Sequence, residues 1–234
     1  MKRIRQNAIV VCAVLLLLLA VFAVDRLGGW RGFLQPPAAP EVAISVPAAS
    51  VDPLNEGRLV SVQGRLESAQ APTDAQLGVE ANDAVVLIRH VEMYQWREAC
   101  VDTSCVQSPA WSETLIDASA FHAQEGHENP PAFPFESTRF DGEGIHLGAF
   151  RPDLELILAQ VDPVARPLRL EELPANLAAS ASAIDGHIYL GNDPLNPVVG
   201  DLRIRYAIIP SATTTLTGVQ RSDRLVAAEP KNPM

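Results

Sequence analysis

The longest uninterrupted apolar run is Ala8 to Val24, AIVVCAVLLLLLAVFAV, which contains no charged residue, glycine or proline. At 1.5 Å per residue it reaches about 25 Å as a helix, near the short end of what crosses a bilayer. Leu27 to Trp30 extend it into the interface, which favours Trp, and the pattern predicts a transmembrane helix over residues 8–28. Lys2, Arg3 and Arg5 precede it. Positive flanks stay in the cytoplasm, so residues 1–7 are expected inside and the chain beyond Asp25 outside, as a single-pass protein. The competing reading is a signal peptide cleaved after Val21-Phe22-Ala23, for which the run is long, since signal cores span about 7–15 residues. Both readings place the remainder outside the cytoplasm.

Residues 29–55 are rich in Pro and Ala and predict a linker, because repeated prolines forbid a continuous helix. From Glu56 to Ala228 the period changes to two. Gly57–Ser68 alternates Val60, Val62 and Gly64 with Leu59, Ser61 and Gln63, a strand pattern. Val85–Glu98, VVLIRHVEMYQWRE, predicts the longest strand, apolar on both faces up to Ile88 and alternating thereafter. CVDTSC (100–105) reads as a compact turn that returns through Trp111 and Ser112. Residues 126–138 are irregular. A strand is expected around Ile145, then a helix with Pro152 in its first turn and Leu154, Leu156, Ile157 and Leu158 on its apolar face. A second helix is expected over Arg169–Leu177, and strands over His187–Leu190, Leu202–Ile209, Thr213–Val219 and Leu225–Ala228. The fold class that follows is α+β: a mostly antiparallel β domain over 56–228 with two short helices packed on the sheet. A disordered tail is expected over 229–234.

The net charge is −10, and setting aside the three basic residues at the N-terminus leaves −13 for the rest. Such a domain repels nucleic acid and anionic headgroups, so nucleic acid is excluded as a partner. Lysine occurs only as Lys2 and Lys231, with Arg supplying the other cations, a GC-rich codon bias that points to a bacterial source and hence to an inner-membrane protein with a periplasmic domain. Cys12 lies within the apolar run and is not a lipobox cysteine, because Val11 precedes it. An oxidising compartment favours a Cys100–Cys105 disulfide. The alternatives are two free thiols or a zinc site, and the latter lacks a second Cys/His pair of suitable spacing.

Catalytic signatures are sparse. The chain has no G-x-S-x-G elbow, P-loop or G-x-G-x-x-G, and no cofactor is implied. His122, Glu125 and His127 lie in FHAQEGHENPP, but two histidines five apart do not share a helix face, so a structural loop is favoured over a metal site. His90 and Glu92 share a strand face, which allows a proton-handling pair or a plain surface pair. Tyr94 and Trp96 alternate on the same face, as a ligand platform or as packing residues. Asp185-Gly186 and Asn192-Asp193 are turn signals without an EF-hand spacing for calcium.

Several blocks in order resemble the transmembrane protein 43 (LUMA) family. They are NEGRLVSVQGRL (55–66), RHVEMYQWRE (89–98), Trp111 with ETLID (113–117), GHENPP (126–131), LGAF (147–150), NDPLNPVVGDLRI (192–204) and TTTLTGVQRSDRLVA (213–227). The residues carrying the match are Glu56, Gly57, Arg89, His90, Val91, Glu92, Met93, Tyr94, Gln95, Trp96, Trp111, Gly126, His127, Asn129, Pro130, Gly200 and Asp201. The resemblance implies an uncleaved N-terminal anchor, a large lumenal or periplasmic domain and no catalytic residues. In eukaryotes such proteins sit in the endoplasmic reticulum and inner nuclear membrane, oligomerise and organise membrane protein complexes. The expectation is therefore a non-enzymatic scaffold whose partners are the lipid bilayer and membrane proteins or further copies of itself. The contrasting reading is a ligand-binding module or hydrolase built on His90, Glu92, His122 and His127. Two departures from the family pattern stand out. The sequence ends at Met234, where the family continues into a C-terminal transmembrane cluster, and this reads as a bacterial-type member lacking it, the alternatives being a truncated gene, a fragment or a bitopic variant. In addition, CVDTSC stands in place of a longer, polar, Tyr-bearing hairpin.

Overall fold

The structure, a computed structural model, describes residues 42–228. The expected helix over 8–28 and the tail 229–234 lie outside the described residues. Among those described, no helix is long and apolar enough to cross a membrane.

In chain order the strands are β1 (Ile44–Pro47), β2 (Leu59–Glu67), β3 (Thr73–Asp74), β4 (Val79–Glu80), β5 (Ala84–Val101), β6 (Ser104–Ser112), β7 (Thr138–Asp141), β8 (His146–Leu147), β9 (Arg151–Pro152), β10 (Val164–Arg166), β11 (Ala181–Ile184), β12 (His187–Leu190), β13 (Leu202–Pro210), β14 (Thr213–Arg221) and β15 (Arg224–Val226). Two helices, α1 (Leu154–Gln160) and α2 (Ala175–Ala178), complete an α+β fold in which antiparallel pairing predominates.

The strands form two sheets and a small β3–β4 hairpin. One sheet has the order β1-β2-β14-β15-β9, with β8 also on β2. The other has the order β11-β12-β13-β5-β6. In that sheet β5 is long enough to use its edges twice. One edge pairs with β13 from Ala84 to Met93, while the opposite edge takes β7 at Val86–Arg89 and then β6 from Met93 outward. Beyond Met93 the β5–β6 hairpin therefore projects as a two-stranded ribbon.

Two cores result. Val60, Val62 and Leu66 of β2 pack with Val85, Val86, Ile209, Phe150 and the α1 residues Leu156 and Ile157 between the sheets. Leu87, Val91 and Met93 pack with Ile204, Tyr206 and Ile188 on the opposite face, under Leu77, Leu168 and Leu173. A β-bulge at Ile209/Pro210 leaves Val85 as the extra residue, so Val85 and Val86 both reach the first core. This accounts for the two-sided apolarity of the start of β5.

Four expectations are corrected. The folded domain begins before Glu56: residues 44–47, placed within the 29–55 linker, form β1, parallel to β2. β1 lies at the sheet edge, where Pro47 is tolerated because the ladder needs no N–H from it. The strand around Ile145 is displaced, since Gly142 and Gly144 separate β7 from β8. Pro152 is not in the first helical turn; it lies in β9, and Asp153 is the N-cap of α1. The helix over Arg169–Leu177 is a 3-10 turn at Leu170–Glu172 followed by α2, because Pro174 holds Leu173 extended (φ −85°, ψ 154°).

Candidate functional site

From Arg89 to Gln95 the odd-numbered positions of β5 are buried; the even-numbered ones from His90 to Trp96 carry the polar and aromatic row. Glu92 is opposite Arg203 on β13, and their side chains form a bidentate pair at 2.5 and 2.8 Å. The Arg203 guanidinium also lies 4.6 Å from the Trp111 ring centroid, which joins Tyr94 at 5.1 Å and Tyr189 at 6.2 Å. Charge-assisted pairing and cation–π contact thus hold one continuous patch. The Arg203 hydrogen bonds hold the Glu92 carboxyl below its ordinary value of 4.5, against the opposing effect of burial. A carboxyl depressed by folding contributes stability above its unfolded pKa, and that stability disappears as pH falls. Glu92→Gln is expected to show a flatter loss of unfolding free energy than the parent between pH values well above and well below 4.5, measured by urea titration at each pH.

Other residues of the matching blocks are bound into this patch. Asn129 replaces a missing strand partner: its Oδ1 accepts from the Trp96 N–H at 2.7 Å, and its Nδ2 donates to the Trp96 and Ile116 carbonyls at 2.8 and 3.1 Å. His127 stands edge-on to the Trp96 ring at 4.6 Å, and Gly126 takes φ +78°. The Gly200 N–H donates to the Tyr94 carbonyl, and the Asp201 carbonyl accepts from the Tyr94 N–H. The Asp201 carboxylate accepts from the Tyr189 hydroxyl and from the Val198 N–H. Gly191 is required here, because a Cβ would lie 2.5 Å from the Asp201 carboxylate. Pro130 packs beside Gly200. Gln95 is fully buried and bonds the backbone of Thr114 and Ile116.

Val91 and Met93 belong to the second core. Arg89 is buried with Asp74 at 2.6 Å. Glu56 and Gly57 lie elsewhere, against the β14–β15 turn: Glu56 accepts from the Ser222 N–H, and the Gly57 N–H donates to the Gln220 carbonyl.

At the ribbon's tip, Cys100 and Cys105 are cross-strand partners joined by a disulfide. Closing so small a loop contributes about 2 kcal/mol on chain-entropy grounds. Asp102 makes the turn with φ +54°, and Val101 and Val106 are 75% and 64% exposed on either side. The His122 loop crosses this tip. Glu98 accepts from the His122 N–H and from Gln107, and its Oε1 lies 2.9 Å from His122 Nδ1, a bond that holds the Glu98 carboxyl below the usual range.

The histidines of the hydrolase reading do not converge. His90 is 3.8 Å from Glu113, His122 meets Glu98, and His127 packs on Trp96. Glu125 lines a separate open groove of about 880 Å³ together with Leu115, Asn129, Pro130 and Pro131. Asp193 caps its own turn through the Leu195 N–H and Asn196, while Asp185 and Gly186, with φ +49° and +76°, make the β11–β12 hairpin turn. Sequence reasoning missed Asp74, Glu98, Arg203 and Tyr189. Each sits in an ordinary polar or alternating context, with no local signal of its partner.

Comparison with known proteins agrees with this arrangement of motifs. The sequence model of the transmembrane protein 43 family matches residues 93–233. Transmembrane protein 43 of Homo sapiens is 32% identical over 205 residues, covering 78% of this chain and 50% of that protein. The Rattus norvegicus protein is 29% identical with the same coverage, and the Drosophila melanogaster homolog is 27% identical over 65% of this chain and 43% of its own. The chain spans about half the length of the curated relatives it matches, none of which is named as an enzyme. No solved structure matches. The motif blocks, the family match and the shared identity together establish that this chain belongs to the transmembrane protein 43 family.

Proposed function

We propose that the β domain is a non-catalytic interaction module of a membrane protein, held outside the cytoplasm by an N-terminal anchor and serving to organise membrane protein complexes. The observation that carries this reading is how the motif residues are used. Asn129, Gly200 and Asp201 bond the backbone of Trp96 and Tyr94 on the ribbon, Glu92 pairs with Arg203 and Trp111 packs on Tyr94, so the motif side chains are engaged in holding a surface. The apolar run at Ala8–Val24 behind Lys2, Arg3 and Arg5 supports the anchor and its orientation, and the disulfide suits an oxidising compartment. Exposed Val101 and Val106 at the tip, and exposed Leu195 on the loop between β12 and β13, are the apolar points such a surface would present.

With Lys2 and Lys231 the only lysines, amine-directed crosslinkers are poorly suited to this chain. A photo-crosslinking residue at Val101, Val106 or Leu195 of the full chain in native membranes is expected to give the same discrete adduct from each position. Exposed Glu155, remote on α1, is expected to give none. Recovery of monomer alone from all three apolar positions would count against the module.

A further inference from the structure

We infer that reduction of the Cys100–Cys105 disulfide opens a zinc site formed by Cys100, Cys105, His122 and Glu98. The spacing that speaks against zinc along the sequence is overcome by the fold. Strand alternation places Glu98 and Cys100 on one face of the ribbon, register places Cys105 opposite Cys100, and the loop after β6 returns His122 over the same face. The four ligand atoms lie within 4.8 Å of one another; His122 Nδ1 is 3.4 Å from the Cys105 sulfur and 2.9 Å from Glu98 Oε1. Ligand atoms around tetrahedral zinc are about 3.3–3.8 Å apart, given bonds of about 2.0–2.3 Å. Two thiolates, an imidazole and a carboxylate are donors that suit this ion.

The chemistry balances. A dithiol reductant reaching the exposed tip passes two electrons and two protons to the disulfide and leaves as a disulfide itself. Cys100 and Cys105 become thiols whose sulfurs separate. Zinc then displaces both thiol protons, and the imidazole ligates as the neutral ring. Exchange with a second disulfide, which takes up the two electrons and, with two protons from water, leaves as a dithiol, re-forms the Cys100–Cys105 bond, removes two of the four donors and releases the ion. The tip thus has two alternative closures, one covalent and one metallic, selected by redox poise.

The test uses the full chain in detergent, reduced with a phosphine that is then removed, and titrated with Co²⁺ as the probe. One equivalent is expected to bind with the absorption of tetrahedral, thiolate-ligated cobalt and to be displaced by Zn²⁺. Affinity is expected to be at least about ten-fold higher than in the oxidised chain. Cys100→Ser with Cys105→Ser leaves Cys12 as the remaining cysteine and is expected to abolish the thiolate spectrum of bound cobalt. His122→Ala, an exposed position, and Glu98→Gln are expected to weaken binding by about ten-fold or more. Equal binding by reduced and oxidised chains, or parent-like binding by His122→Ala, would overturn the inference.

Discussion

Arg89→Met is expected to destabilise the domain by about 3–5 kcal/mol, the cost of leaving one member of a buried ion pair alone. Arg89 and Asp74 are 3% and 0% exposed. Every guanidinium nitrogen is used: one donates to Asp74 at 2.6 Å, one to the Gln76 side chain, and Nε to the Glu136 carbonyl. Asp74 also accepts from the Tyr206 hydroxyl at 2.6 Å and from the backbone N–H groups of Gln76 and Leu77. This network ties the β3–β4 hairpin to β5 and β13. Methionine fills similar volume without charge, so the loss reads the stranded carboxylate and not a cavity. Adding Asp74→Asn is expected to recover part of the loss, because the residual amide carries no charge to desolvate. Urea unfolding of parent, single and double variants measures both effects. A loss below about 1 kcal/mol for the single variant would mean that water reaches Asp74 and that the pair is not sealed.

Asn129→Ala is expected to cost about 2–3 kcal/mol and to loosen the ribbon selectively. The substitution strands the Trp96 N–H and the Trp96 and Ile116 carbonyls, partly buried groups whose unmade bonds cost about 1 kcal/mol or more each. It also frees the loop that brings His127 against the Trp96 ring. Amide exchange is the sharper measurement. Protection at Trp96 is expected to fall well before that at Val60 or Val62 in the other sheet, whose ladder to β14 does not involve residue 129. Uniform loss of protection across both sheets would contradict a local role.

Legibility differed from element to element. β5, β12 and β13 were read closely because period-two alternation and β-branched residues are local properties, and so was the CVDTSC turn. β1 was hidden by Pro47 and its neighbours, which look like linker until a parallel partner is present. The second helix failed at Pro174, whose restriction on Leu173 outweighed the apolar spacing. At the site, the resemblance named Arg89 and Glu92 without their partners Asp74 and Arg203, and named Asn129 and Trp96 without joining them. Glu92 and Arg203 are 111 positions apart and Arg89 and Asp74 are 15, and neither separation leaves a periodic trace.

The amino-acid sequence by itself determined the strand-rich α+β class, the two-sided start of β5, the turn at the ribbon tip and membership of the family. These rest on local sterics, hydrophobic alternation and motif order, which act within a few residues. Only the tertiary structure decided that β5 would join both cores, that Asp74 would meet Arg89, and that His122 would arrive beside Glu98 and the two cysteines. Those meetings depend on how loops close and sheets register across the whole domain, and closure is governed by collective burial that no short window of sequence contains.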